Sequence, residues 1–179
     1  VDGSGRLVSG ALVYGANRAA ALDATTRFTW RDDALAVRVD GGASRVATPA
    51  LGFARLASEG TLRARDGFAR IDYQGSVSGD GVEIGPAVDG SLASVQTGGA
   101  GTLLAPLIAK LRAGFAREAA SSRFAADLDF RKNDATTSLT VPQGSLTGAS
   151  GATLLALSRF SVRGGPDGAP RVAGNFVTG

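Results

Sequence analysis

Carboxylates are the side chains from which a reaction centre would have to be built here, because the 179 residues include no histidine and no cysteine. Those absences remove the commonest general base, triad partner and metal ligand, and with them zinc and iron–sulfur sites. Asp32 and Asp33 are neighbours in a turn, so their side chains diverge and solvate a hairpin instead of sharing a proton. Asp127 and Asp129 fall on one face of a strand by their two-residue spacing, ordinarily its wet face. A glycosidase pair needs two carboxyls facing across a cleft, and an aromatic content of 6% is poor material for a sugar-stacking site. The expectation is a chain that is not an enzyme. A carboxylate hydrolase is the alternative, and it requires Asp127 and Asp129 to converge inside a pocket.

Glycine-rich stretches invite a phosphate-loop reading. Gly79-Asp80-Gly81-Val82-Glu83-Ile84-Gly85 has the wrong final spacing for a dinucleotide fingerprint and carries acids that repel phosphate. Thr97-Gly98-Gly99-Ala100-Gly101 precedes a helical pattern, but no Gly-Lys-Ser/Thr follows it. Gly148-Ala149-Ser150-Gly151 reads as a turn, and no GxSxG elbow is present. No cofactor, metal or nucleotide is expected.

Net charge is +3, nearly all cations are arginine, and lysine occurs only at Lys110 and Lys132. The Ala/Gly/Arg skew is that of GC-rich bacterial coding. Acids and bases interleave instead of forming blocks, which argues against nucleic-acid binding. No window holds 18 uninterrupted apolar residues, so no bilayer-spanning helix is expected. The missing methionine places any targeting segment upstream of Val1, and the absence of cysteine fits an exported bacterial protein.

The elements that would position any site are mostly strands. Phe124, Ala126, Leu128 and Phe130 alternate with Arg123, Asp127, Asp129 and Arg131; Leu35, Val37 and Val39 with Arg38 and Asp40; Ala69, Ile71 and Tyr73 with Arg70, Asp72 and Gln74. Such alternation marks half-buried strands, one face on apolar surroundings and the other in water. Further strands are expected in Arg6–Tyr14, Thr25–Arg31, Ser44–Thr48, Thr61–Arg65, Ser138–Val141 and Leu154–Val162. Turns are expected at Asp40-Gly41-Gly42, Asp66-Gly67, Asp80-Gly81, Pro142-Gln143-Gly144 and Pro166-Asp167-Gly168. Strands joined by tight turns make an antiparallel meander.

One segment follows a different period. From Thr102 to about Ala120, Leu103, Leu104, Leu107, Ile108, Leu111 and Phe115 recur at helical spacing, with Pro106 near the first turn. One amphipathic helix is expected, packed on the sheet or capping its end; its polar face lacks the basic density of a membrane-surface helix. A faint repeat pairs Phe28–Ala34 with Leu128–Ala135 and Leu51–Leu56 with Leu154–Phe160. The reading is therefore a single β-rich segment, 1–179, of a larger protein, with possible repeat halves 1–96 and 123–179 joined by a helical insert, 97–122.

The Gly-rich lead into Leu103-Leu104-Ala105-Pro106-Leu107, the helix it opens, and the strand Arg123-Phe124-Ala125-Ala126-Asp127-Leu128 carry a resemblance. It continues through Val141, Gly144–Ala152 and Phe160-Ser161-Val162. Together they resemble the AsmA-like, TamB-like bacterial envelope proteins, most closely the YdbH type. The first half matches only as a Gly-bounded strand series ending in Ala50-Leu51-Gly52-Phe53. The resemblance implies a long, strongly curved antiparallel sheet, a β-groove or taco-like fold. It implies a periplasmic location, an inner-membrane anchor, and phospholipid transport to the outer membrane with acyl chains along an apolar groove. Partners would be phospholipid acyl chains and neighbouring segments of the same long chain. Candidate groove residues, drawn from the alternating apolar positions, are Leu35, Val37, Val39, Ile71, Tyr73, Phe124, Leu128, Phe130, Leu139 and Val141. A structural or adhesive β-repeat segment of a secreted surface protein is the other alternative, and a strict short repeat period would favour it.

Overall fold

In the computed structural model, which describes residues 1–98, 100–101, 104–133, 135–165 and 168–178, the chain forms one antiparallel sheet with a helical hairpin inserted into it. The strands are β1 (Asp2–Ser9), β2 (Leu12–Tyr14), β3 (Asn17–Ala19), β4 (Ala21–Arg31), β5 (Ala34–Ala47) and β6 (Leu51–Arg65). After them come β7 (Arg70–Ile84), β8 (Arg123–Lys132), β9 (Thr137–Thr147), β10 (Thr153–Gly165) and β11 (Gly168–Thr178). Pairing runs β1-β4-β5-β6-β7-β8-β9-β10-β11, and the short β2–β3 hairpin reaches back to β5 through Arg18 opposite Ala47. β1 and β11 are the two ends of this path, so the sheet stays open. The expected mainly-β fold, one long curved antiparallel sheet with helix attached, is what forms.

The strands are longer than the sequence pattern predicts, and the reason is glycine. Asp40-Gly41-Gly42 lies inside β5, Asp80-Gly81 inside β7 and Pro142-Gln143-Gly144 inside β9; none of these expected turns is a turn. Leu35–Val39 and Ser44–Thr48, expected as separate strands, are largely joined in β5. Glycine within a strand marks a bulge or a close approach as readily as a turn. Gly81 takes a positive φ of 63° and Arg45 one of 47°; pairing is interrupted there on both strands, Ala54 being skipped opposite each, and the register does not shift. The turns at Asp32-Asp33 and Asp66-Gly67 form as expected, while Pro166 and Asp167 lie outside the described residues.

Two helices, not one, interrupt the meander. α1 (Pro86–Gly98) precedes α2 (Leu104–Glu118), and a short 3-10 turn (Ala119–Ser121) leads into β8. The helical stretch thus begins at Pro86, before the 97 expected for the insert. α1 escapes pattern reading because its serines, Thr97 and Gly90 dilute any apolar stripe. Of the expected stripe on α2, Leu103 and the side chains of Leu104, Leu107, Leu111 and Phe115 lie outside the described residues.

The hairpin is knit to one end of the sheet. Gly85 N–H donates to Ala50 O (2.7 Å) and Ala87 N–H to Pro49 O (2.9 Å), tying α1 to the β5–β6 turn. A Cβ at Gly85 would stand 2.5 Å from Pro49 O, so only glycine permits this approach. Buried Ser122 satisfies the interrupted stretch of β7: its Oγ accepts from Val82 N–H (2.9 Å), and its carbonyl accepts from Gly81 N–H (2.9 Å). Glu118 Oε2 accepts from Ala149 N–H (2.7 Å) in the β9–β10 turn. Arg112 of α2 binds Asp89 of α1 (2.7 Å), locking the helices together. The insert therefore attaches to the upper turns and leaves the opposite end, with the Asp32-Asp33 and Asp66-Gly67 turns, uncapped.

Candidate functional site: the apolar face

Register decides which side chains share a face, because directly opposed residues in an antiparallel pair point the same way. Phe28, Val37, Leu62, Tyr73, Phe130, Leu139, Val162 and Val172 form one unbroken row across β4 to β11. At about 4.8 Å per strand that row is roughly 34 Å wide. The next row, one residue along each strand, faces the other way: Arg27, Arg38, Thr61, Gln74, Asp129, Thr140, Ser161 and Ala173. In these two rows one face is apolar and the other mostly polar from β4 to β11.

All the residues named as groove candidates stand on the apolar face. Leu35 and Ile71 occupy one row with Trp30 and Ala64. Val37, Tyr73, Phe130 and Leu139 occupy the next, and Val39 and Leu128 the row beyond it. Phe124 stands beside Leu56, Gly79, Leu146 and Leu155, and Val141 faces Phe160. They are not equivalent. Val141 is buried, and Phe124 packs on Phe53 with ring centroids 5.8 Å apart. Tyr73 lies across Gly60 and Gly75, where an added Cβ would meet its hydroxyl at 2.6 Å, and that hydroxyl is hydrogen-bonded to Ser58 Oγ at 2.8 Å. The others are half-buried. Leu22, Phe28, Trp30, Leu56, Leu62 and Val77 share this face beside the candidates; Phe28 and Trp30 alternate within Thr25–Arg31 and Leu62 within Thr61–Arg65, but the rest become visible only once register is known.

The sheet curls toward this face. Opposed Cβ atoms in a flat antiparallel pair are about 4.5–5.5 Å apart. A Cβ at Gly41 would come within 2.5 Å of the Ala24 Cβ directly opposite. A Cβ at Gly42, on the polar face, would find its nearest atom, Leu56 O, at 3.2 Å. Side chains crowd on the inside of a bend, so the apolar face is the inner one across β4 and β5.

Little of this face is closed. Among the described residues the buried apolar side chains are Ala24, Phe53, Ala64, Val82, Ala126, Val141 and Leu146, three of them alanine. The one cluster of buried residues joins Phe53, Val82 and Leu146 beside the helical insert. The accessible surface is 11621 Å² for 18.0 kDa, against roughly 8,000 Å² for a compact monomer of that mass.

Several charges of the polar face pair with one another. Arg38 pairs with Glu59 (2.6 Å), Arg55 with Asp80 (3.3 Å), and Arg6 with Asp23. Hydrogen bonds from the Arg6 guanidinium hold the Asp23 carboxyl below its ordinary value. Asp127 accepts from Gln143 Nε2 (2.7 Å) and Asp129 from Arg131 (3.1 Å), an interaction that raises the Arg131 guanidinium. Asp127 and Asp129 are thus engaged separately on the polar face. A hollow of about 1080 Å³ also opens there, because Gly42, Ala57, Ser78 and Ala125 make a low floor. Of its charged walls, Arg55 pairs with Asp80 and Asp23 with Arg6, while Arg123, opposite Asp80, has no ion pair among the described residues.

Among the described residues no helix is long and apolar enough to cross a membrane. No family model, curated protein or solved structure matches the chain.

Proposed function

We propose that this chain is a segment of a periplasmic, inner-membrane-anchored envelope protein of the AsmA-like, YdbH type that carries phospholipid between membranes. The observation that supports this reading is the continuous apolar row from Phe28 to Val172 on the inner face of a sheet that does not close. An open face of this kind exposes alkyl surface to water, and an acyl chain laid on it recovers about 0.8 kcal/mol per buried methylene. Both sheet ends, β1 and β11, stand ready to pair with neighbouring segments of the same long chain, which would lengthen the groove strand by strand. No catalytic residue is required.

A photo-crosslinking amino acid walked along β5 tests the proposal in the full-length protein in bacterial membranes. Phospholipid adducts are expected at Val37 and Val39 and not at Arg38 or Asp40. Adducts at none of the four, with lipid captured on a known carrier under the same conditions, would overturn it.

A further inference from the structure

We propose that the uncapped end of the apolar face holds a cage for an organic ammonium group, and that its ligand is the amine headgroup of a zwitterionic phospholipid. A hollow of about 390 Å³ opens between the β4–β5 and β6–β7 turns. Its floor is Leu35 and Ala64, opposed in register on the inner face. Its walls are aromatic: Trp30, opposite Leu35 and 42% exposed, and Phe68, in the β6–β7 turn and 50% exposed. Asp33 and Asp66 stand at its rim. An apolar floor, aromatic walls and a carboxylate are what a methylated or primary ammonium requires, since the ring faces attract a cation that is being desolvated.

One wall is built against backbone preference: Phe68 has φ 71°, in the left-handed region that L side chains avoid and glycine would fill without strain. Asp33 (φ 58°) and Asp32 (φ 47°) have the positive φ that the two-residue type I′ turn between β4 and β5 requires. The two carboxylates differ: Asp66 already pairs with Arg70 (3.1 Å), whereas among the described residues Asp33 has no ion-pair partner. Two strands farther along the row of Leu35 and Ala64 stands Lys132, about 10 Å away by strand spacing. That places a cation on the side where the headgroup's phosphate would lie. Acyl chains would then run from the cage onto Val37, Val39 and Leu62. The headgroup assignment rests on the lipid-carrying reading above; the ammonium site does not.

Trp30 is the only tryptophan, so its emission reports on the cage directly. Choline is expected to give a saturating change that sodium chloride of equal ionic strength does not, and uncharged 3,3-dimethylbutanol, of the same shape, to bind about tenfold more weakly. Phe68→Leu, folded by circular dichroism, should cost choline about fivefold and leave dimethylbutanol unchanged; Asp33→Asn should act likewise. Equal binding of choline and dimethylbutanol would overturn the cage. Dihexanoyl phosphatidylcholine and dihexanoyl phosphatidylglycerol separate the two readings. Expected is a loss for the choline lipid alone in Asp33→Asn. If both lipids bind and neither responds to Asp33→Asn, the headgroup cage fails and the lipid-carrying face stands. If choline binds and neither lipid does, the ammonium site stands and the lipid reading fails.

Discussion

The two faces of the sheet share one backbone and differ by a single step along each strand. On β5, Val37 and Val39 point inward while Arg38 and Asp40 point outward. Some outward residues find partners within the chain, as Arg38 reaches Glu59 and Arg55 reaches Asp80, and others, such as Asp40, face water. The inward residues find each other only at the helical end, where Phe53, Val82 and Leu146 close into a cluster. Elsewhere on that face most large side chains, Val141 apart, remain half-exposed. A charge can be neutralised by one neighbour in the plane of the sheet, but an alkyl side chain needs a second layer above it. The polar face is therefore satisfied by neighbours and by water, and the apolar face needs a layer this chain supplies only in part.

The strongest way to break that comparison is to delete rings on the inner face. Phe53→Ala should destabilise by about 3 kcal/mol, because it empties the one closed cluster. Phe28→Ala, on the same face but 38% exposed, should cost about 1–2 kcal/mol, because its ring covers Gly3 on one side and meets water on the other. Urea unfolding of both variants measures the gap. Equal losses would mean that the open row is covered in solution, by a second copy or by another part of the protein.

A pair of adjacent glycines sharpens the same contrast at lower energy. Gly41→Ala puts a methyl 2.5 Å from the Ala24 Cβ and should cost about 1–3 kcal/mol by overpacking. Gly42→Ala meets only Leu56 O at 3.2 Å and should change stability by less than about 1 kcal/mol, offset by the entropy that glycine loses on folding. Thermal melts of the two variants should separate clearly. If they coincide, the bend toward the apolar face is absent in solution.

These glycines also mark where the sequence was legible and where it was not. Alternation in Leu35–Val39, Ile71–Tyr73 and Phe124–Phe130 correctly assigned each residue to a face, because period two survives any error in strand length. Strand ends were misjudged wherever glycine or proline stood inside a strand, as at Gly41, Gly81 and Pro142, since the same residue serves a bulge, a tight bend or a turn. The cage was unreadable for a different reason. Trp30, Asp33, Asp66 and Phe68 belong to two separate turns, and only the β4–β5–β6 register brings those turns together. Asp33 had been identified as a hairpin residue, and that is its place, but nothing local to it specifies a ring across the gap.

The smallest effect expected belongs to the polar face and is a matter of pH. The Arg6 guanidinium donates to Asp23 and holds that carboxyl below its ordinary value. A carboxylate whose folded value is depressed binds protons less readily in the folded state than in the unfolded one, so its contribution is fully present above the unfolded value of about 3.9. That contribution is lost as pH falls through the folded value, where Asp23 takes up its proton. Asp23→Asn should therefore lower the melting temperature slightly near neutral pH, and the variant and parent curves should converge as acid is added. Both side chains are largely exposed, so salt should shrink the difference further. The loss in Phe53→Ala comes from packing and carries no such titration, so it should persist across the same range. Convergence of the Asp23 curves alongside a constant Phe53 gap would separate a face held by charge from a cluster held by contact. A Phe53 gap that closed in step with Asp23 would show that the cluster depends on the ion pairs outside it.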